Sequence, residues 1–186
     1  MSAASTSPDV PVAVTDSSVL VPVWSRYVLQ RLAAGAAPPY RPAWSEWIIA
    51  ETWRVLTEQW FERFGGVTAP GVGRLDDLAN GMLRRLLRVM HLVSLRGYAG
   101  PGAWPELADA DDEPVWQTAV AAGAQYVISN NTRHFPPLVS GRHLYGGVEY
   151  VTAIEFIEDI LGKDAAAVYE RPLPGGAQLR SRRARR

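Results

Sequence analysis

The side chains in this sequence best suited to chemistry are carboxylates, and they are unevenly placed. Residues 109–113, "DADDE", set three aspartates and a glutamate in five positions, just before the largely apolar run "PVWQTAVAAGAQYVIS". Asp16 follows the apolar run 12–14. Glu51 lies three residues after Ile48 and four before Val55, in or beside the apolar stripe of its segment. A carboxylate beside such a stripe is unfavourable unless it is paired or coordinates a cation. Carboxylates brought together repel, and one titrates upward unless a cation holds them. Oxygen ligands without cysteine suit a hard ion, Mg²⁺ or Mn²⁺. Such ions serve phosphate chemistry, activating water and neutralising charge on phosphorus oxygens.

Each acid also has a local explanation. Asp16 can turn or cap the chain after a strand. Asp112 can cap a helix, with Pro114 in the first turn where a missing N–H is harmless. Glu51 can pair with an arginine. Glu58 and Glu62 read as solvent-facing, and Glu46 suits the positive end of a helix dipole. His91, His134 and His143 lack HExxH-type spacing and offer no competing zinc site.

The elements that must position these acids read as strands separated by helices. Short β-branched or apolar runs predict strands at 12–14, 40–44, 91–95, 126–129 and 148–152. Helical spacing predicts helices at 25–34, at 46–64 with Ser45 as N-cap, at 75–90, and at 115–122 with Gly123 as its stop. Thr152 and Glu155 form a capping box for a last helix reaching about residue 161. Segments 69–74 and 96–114 read as loops. This alternation argues for α/β architecture: three layers, α/β/α, around a central parallel sheet of four or five strands. Ligands of such sheets collect at the carboxyl ends of the strands. Asp16, Asn130, Asn131 and His134 fall just past predicted strands; the edge to which residues 109–113 belong is less evident.

At 186 residues with 47% apolar content and seven tryptophans, the chain is long enough for one α/β domain with a real core. The absence of cysteine excludes disulfides and cysteine-based zinc sites. No apolar run approaches the roughly 18 residues that span a bilayer, so no membrane role is expected. Residues 1–11 read as a flexible leader rather than a secretion signal, 12–170 as the globular domain, and 171–186 as a basic tail. That tail holds six arginines and no acid, leaving 13 basic against 19 acidic residues before it, a net of −6. An acidic body with a basic tail fits a protein that meets nucleic acid, and equally a solvated tail with no partner.

Three segments in order, "VTDSSVLV", "WSEWIIAE" and "DADDEPVWQTAVAAGAQYVISNNTRHFP", resemble the PIN-domain ribonucleases, and within them the toxin-like, VapC-like bacterial branch. The resemblance covers about residues 12–161 and is most specific in the last segment. It implies a metal-dependent endoribonuclease in which acidic residues converge on Mg²⁺ or Mn²⁺ and cleave single-stranded RNA with metal-activated water. Matched by position, Asp16 is the first acid, Glu51 the second and Asp112 the third. Asp16 and Asp112 are then metal ligands, and Glu51 is a ligand or holds a water. Ser18 matches the small polar residue two after the first acid. Asn131 and His134 stand where the family often has a fourth acid; Asn131 would be a supporting polar contact, and His134 would bind metal or phosphate or mark a weakened site. Asp109 and Asp111 would supply auxiliary charge. Arg133 and the tail residues Arg180, Arg182 and Arg183 are candidate RNA contacts. The resemblance further implies a cytoplasmic protein with a cognate antitoxin, and a homodimer. The alternative is a catalytically weak or inactive PIN-like module that binds RNA or a protein partner. A phosphatase of another doubly wound fold would need an aspartate two residues after the first, where Ser18 stands.

Overall fold

The computed structural model describes residues 10–63, 69–96 and 112–170. The leader up to residue 9, Asp109, Asp111 and the tail with Arg180, Arg182 and Arg183 lie outside the described residues.

The buried run Val12–Thr15 forms β1, and Asp16 then caps a single helical turn, Ser17–Leu20 (α1). Helix α2, Val23–Ala33, leads to β2, Arg41–Ser45. Helices α3 (Glu46–Arg63) and α4 (Ala69–Leu86) precede β3, His91–Val93. Helix α5, Glu113–Ala122, feeds β4, Tyr126–Ile128. A 3-10 turn at Thr132–His134 is followed by β5 (Leu138–Val139), β6 (Arg142–Tyr145) and β7 (Val148–Val151). The last elements are α6 (Ala153–Glu155), a π-helical turn at Phe156–Ile160, and α7 (Ala165–Glu170).

The strands form a seven-stranded sheet in the order β3-β2-β1-β4-β7-β6-β5. The first five in that order are mutually parallel, and β6 and β5 extend the sheet as an antiparallel hairpin. Alternate strand residues feed cores on opposite faces. Val14, Val127 and Tyr150 pack with Ile48, Leu56, Met82, Leu86 and Trp116 from α3, α4 and α5. Ala13, Ile128 and Val151 pack with Val28 and Leu29 of α2 and with Phe156, Ile157 and Val168. The protein is thus a three-layer α/β/α structure. Burying each large apolar side chain contributes about 1.5–3 kcal/mol, so the continuous apolar strands need cover on both faces.

The expected elements are present, with corrections at their bounds. The segment 69–74, expected to be a loop, is the first part of α4; Pro70 sits in the opening turn, where no intrahelical N–H is required. Helix α5 starts at Glu113 instead of Val115. Strand β3 stops at Val93, because the Leu95 N–H donates to the Glu46 carboxylate at 3.2 Å instead of continuing the ladder. The capping box of Thr152 and Glu155 is formed. The α-helix it starts gives way to a π turn, in which the Leu161 N–H reaches back five residues to the Phe156 carbonyl at 3.0 Å.

Gly123 ends α5 with φ +62°, and its N–H donates to the Ala119 and Val120 carbonyls. A Cβ there meets nothing within 4 Å, so only the left-handed backbone penalises a side chain. Gly123→Ala is expected to lower stability by about 1 kcal/mol. A thermal melt would show this as a Tm loss of about 2–4 °C, and an unchanged Tm would contradict it.

Candidate active site

Strand order reverses at β1: the chain runs outward to β2 and β3, then returns to place β4 and β7 on the other side. The crevice between β1 and β4 at their carboxyl ends is therefore the topological switch point, where open α/β sheets bind ligands. Asp16 and Ser129, the residues that follow β1 and β4, meet there. The Ser129 hydroxyl donates to Asp16 Oδ2 at 2.9 Å across 113 residues of sequence.

Asp16 is 7% exposed and densely bonded. Its Oδ1 accepts from the Ser17 N–H at 2.7 Å and from the Ser17 hydroxyl at 3.4 Å. Its Oδ2 accepts the Ser18 hydroxyl at 2.6 Å and the Ser18 N–H at 3.3 Å. A carboxylate offers about four lone-pair sites, so these donors fix its orientation. The two long contacts are the ones an incoming ligand would displace. Ser18 and Ser129 are buttressed in turn: the Asn130 N–H donates to Ser18 Oγ at 2.9 Å, and the Asn131 N–H to Ser129 Oγ at 3.1 Å.

Asp112 belongs to this same edge, which the sequence left open. It lines one recess with Asp16, Ser129, Asn131, His134 and Tyr150. It stands at the N-cap position of α5 but makes no side-chain capping bond. Its Oδ2 instead lies 3.4 Å from His134 Nδ1. Asn131 Nδ2 lies 3.0 Å from the same His134 nitrogen. His134, where the family pattern led one to look for an acid, therefore engages the third acid directly. Arg133 is exposed on the 3-10 turn beside it.

Glu51 sits half-buried on α3, where its Oε2 is buried without a hydrogen-bond partner. Burial first, then the charges of Asp16 and Asp112, push its carboxyl up to about 7, against lowering by a Ser17 hydrogen bond and by Arg54. The three acids are thus within electrostatic reach of one another. Among the described residues, no three or more His, Asp or Glu side chains form a ready-made ligand group for a metal ion. The donors present still suit Mg²⁺ or Mn²⁺, because such ions bind through one or two carboxylates and keep several waters. The unpartnered Glu51 oxygen and the mutual repulsion of the acids are what a cation would relieve.

Ser17, Ser129 and Tyr150 were not singled out from the sequence. Ser129 carried a faint signal, as a small polar residue closing an apolar strand before two asparagines. Comparison with protein-family models, with curated proteins and with solved structures finds no match. Among the described residues, no helix is long and apolar enough to cross a membrane.

Proposed function

We propose that this chain is a Mg²⁺- or Mn²⁺-dependent endoribonuclease of the PIN-like kind, acting in the cytoplasm on single-stranded RNA. The observation that carries the reading is the switch-point recess. Asp16 and Asp112 line it together, and with burial as the larger cause both help to push the carboxyl of Glu51 up to about 7. A divalent ion held by Asp16 and Asp112 would supply charge neutralisation at the phosphate and lower the pKa of water.

The chain's own residues account for the remaining steps. Ser17, Ser18 and Ser129 hold the Asp16 carboxylate in one orientation. Glu51 accepts a proton from the attacking water. The water oxygen bonds to phosphorus, one bridging P–O bond breaks, and the departing sugar oxygen takes a proton from solvent. Arg133 and the tail arginines Arg180, Arg182 and Arg183 supply cations for the RNA backbone. The likeness to toxin-like relatives extends the reading to a cognate antitoxin and a homodimer.

A second reading has one observation in its favour. His134 lies 3.4 Å from Asp112, and when protonated it competes with a metal ion for that carboxylate. In that reading the chain is a PIN-like module that binds RNA or a protein without turning over. Metal removal separates the two readings. Purified chain is expected to cleave a single-stranded RNA with Mn²⁺ present, to lose cleavage on chelation, and to regain it when Mn²⁺ is restored. Binding of RNA without cleavage at millimolar Mn²⁺ would sink the nuclease reading and favour the module.

A further inference from the structure

Tyr150, on β7, is 5% exposed, and its hydroxyl oxygen is buried without a hydrogen-bond partner. The ring packs edge-on against Phe135 with centroids 5.9 Å apart, and it lines the recess beside Asp16 and Asp112. A hydroxyl withdrawn from water and left unbonded carries the full penalty of its desolvation. Apolar residues are what a strand normally turns toward a core of Val, Ile and Trp, so the oxygen needs a reason. Burial, then Asp112, Tyr145 and Asp16, push the phenol far above its ordinary range. It is therefore a neutral O–H donor at any working pH, never a base.

The recess beside it is a cavity of about 10 Å³. That is about the least volume that holds one water, which then needs two to four polar partners. The residues that line it carry such groups in complementary form: two aspartates that can accept and a tyrosine that can donate. We propose that Tyr150 is a positioning residue of the acid recess, whose hydroxyl donates to a single water held between Asp16 and Asp112. The water donates its two protons to the carboxylates, at Asp16 in place of one of the two long serine contacts, and accepts from Tyr150, which gives the phenol the partner it lacks. The catalytic half of this inference rests on the ribonuclease reading, in which Asp16 and Asp112 would turn to the divalent ion while the water that Glu51 deprotonates would keep its hydrogen bond from Tyr150. The binding half stands on the recess alone.

Tyr150→Phe removes one oxygen and keeps the ring contacts, so it tests the hydroxyl without opening the core. In metal-free melts of the full chain, Tyr150→Phe is expected to lower Tm by about 2–4 °C. In an Asp112→Ala background the same change is expected to lower Tm by less than half as much, because the water has lost a partner. A rise in Tm on Tyr150→Phe, or equal losses in both backgrounds, would overturn the water, since deleting an unbonded hydroxyl is neutral or stabilising. In Mn²⁺-supported cleavage, kcat is expected to fall about tenfold to a hundredfold with KM for RNA unchanged. A Tm loss with kcat unchanged would overturn the positioning role. If the wild type cleaved no RNA but the coupling of Tyr150 to Asp112 were found, the ribonuclease reading would fail and the bound water would stand.

Discussion

Asp16→Asn is expected to reduce Mn²⁺-dependent RNA cleavage by at least about a hundredfold. The substitution removes the buried negative charge at the switch point while nearly conserving volume. It also sets an amide NH₂ against an environment built of donors. Ser17 N–H at 2.7 Å and Ser18 N–H at 3.3 Å cannot turn to accept from it. The Ser18 and Ser129 hydroxyls, now 2.6 and 2.9 Å from Oδ2, can rotate and do so at the expense of their present bonds. A Tm loss of about 2–4 °C is therefore expected alongside the lost activity. Asp112→Asn supplies the control for folding, because the Asp112 side chain caps nothing on its own helix. It is expected to lose cleavage comparably with a smaller change in Tm. Wild-type cleavage by both variants would remove Asp16 and Asp112 from the reaction.

The parts of this site that are local in sequence were legible, and the parts made by long-range pairing were not. Val12 to Val14 followed by Asp16 announces a buried strand with a carboxylate at its end, and the structure caps α1 with that carboxylate. Glu51 could be placed beside the apolar stripe by counting along α3, and burial alone begins the rise in its pKa. The edge to which Asp112 belongs could not be counted out. It depends on which strand lies beside β1, and β1 pairs with β4, more than a hundred residues on. Ser129 was silent for the same reason, since its partner Asp16 is 113 residues away.

Other misses have local causes. A four-residue helix such as α1 is too short to show a period. The dipeptide Ser140-Gly141, with φ of 53° and 80°, was a readable turn signal between β5 and β6. Helix α7 also carried a mark, Asp164, whose Oδ1 accepts the Ala167 N–H at 2.9 Å. The family likeness of "NNTRHF" drew attention to a missing acid. The structure places that histidine in contact with the acid already present.

Glu51→Gln carries the most diagnostic pH dependence. The ordinary carboxyl value is 4.5 and the folded value about 7, raised by burial and then by Asp16 and Asp112. Below about pH 4.5 the group is protonated in both folded and unfolded chains and leaves stability unaffected. Between those values the unfolded chain releases the proton while the folded chain keeps it, so stability falls as pH rises. Above about 7 the penalty is fully present. Glutamine mimics the neutral acid, so Glu51→Gln is expected to stabilise the metal-free chain at pH 8 by about 1–2 kcal/mol, after discounting for solvent screening at a half-buried site. At pH 4 the two proteins should melt together. Cleavage tells the complementary story. With Mn²⁺ present the wild-type rate is expected to rise with pH as Glu51 becomes able to accept a proton, at a midpoint below the metal-free value of about 7 because the cation favours the carboxylate, and Glu51→Gln is expected to lose both the rise and about a hundredfold in rate. A variant less stable than wild type at pH 8 would mean that Glu51 is satisfied as a charge, by Arg54 or by a bound cation retained through chelation. A variant with the same rise would move the proton acceptor elsewhere, with His134 beside Asp112 the next group to replace.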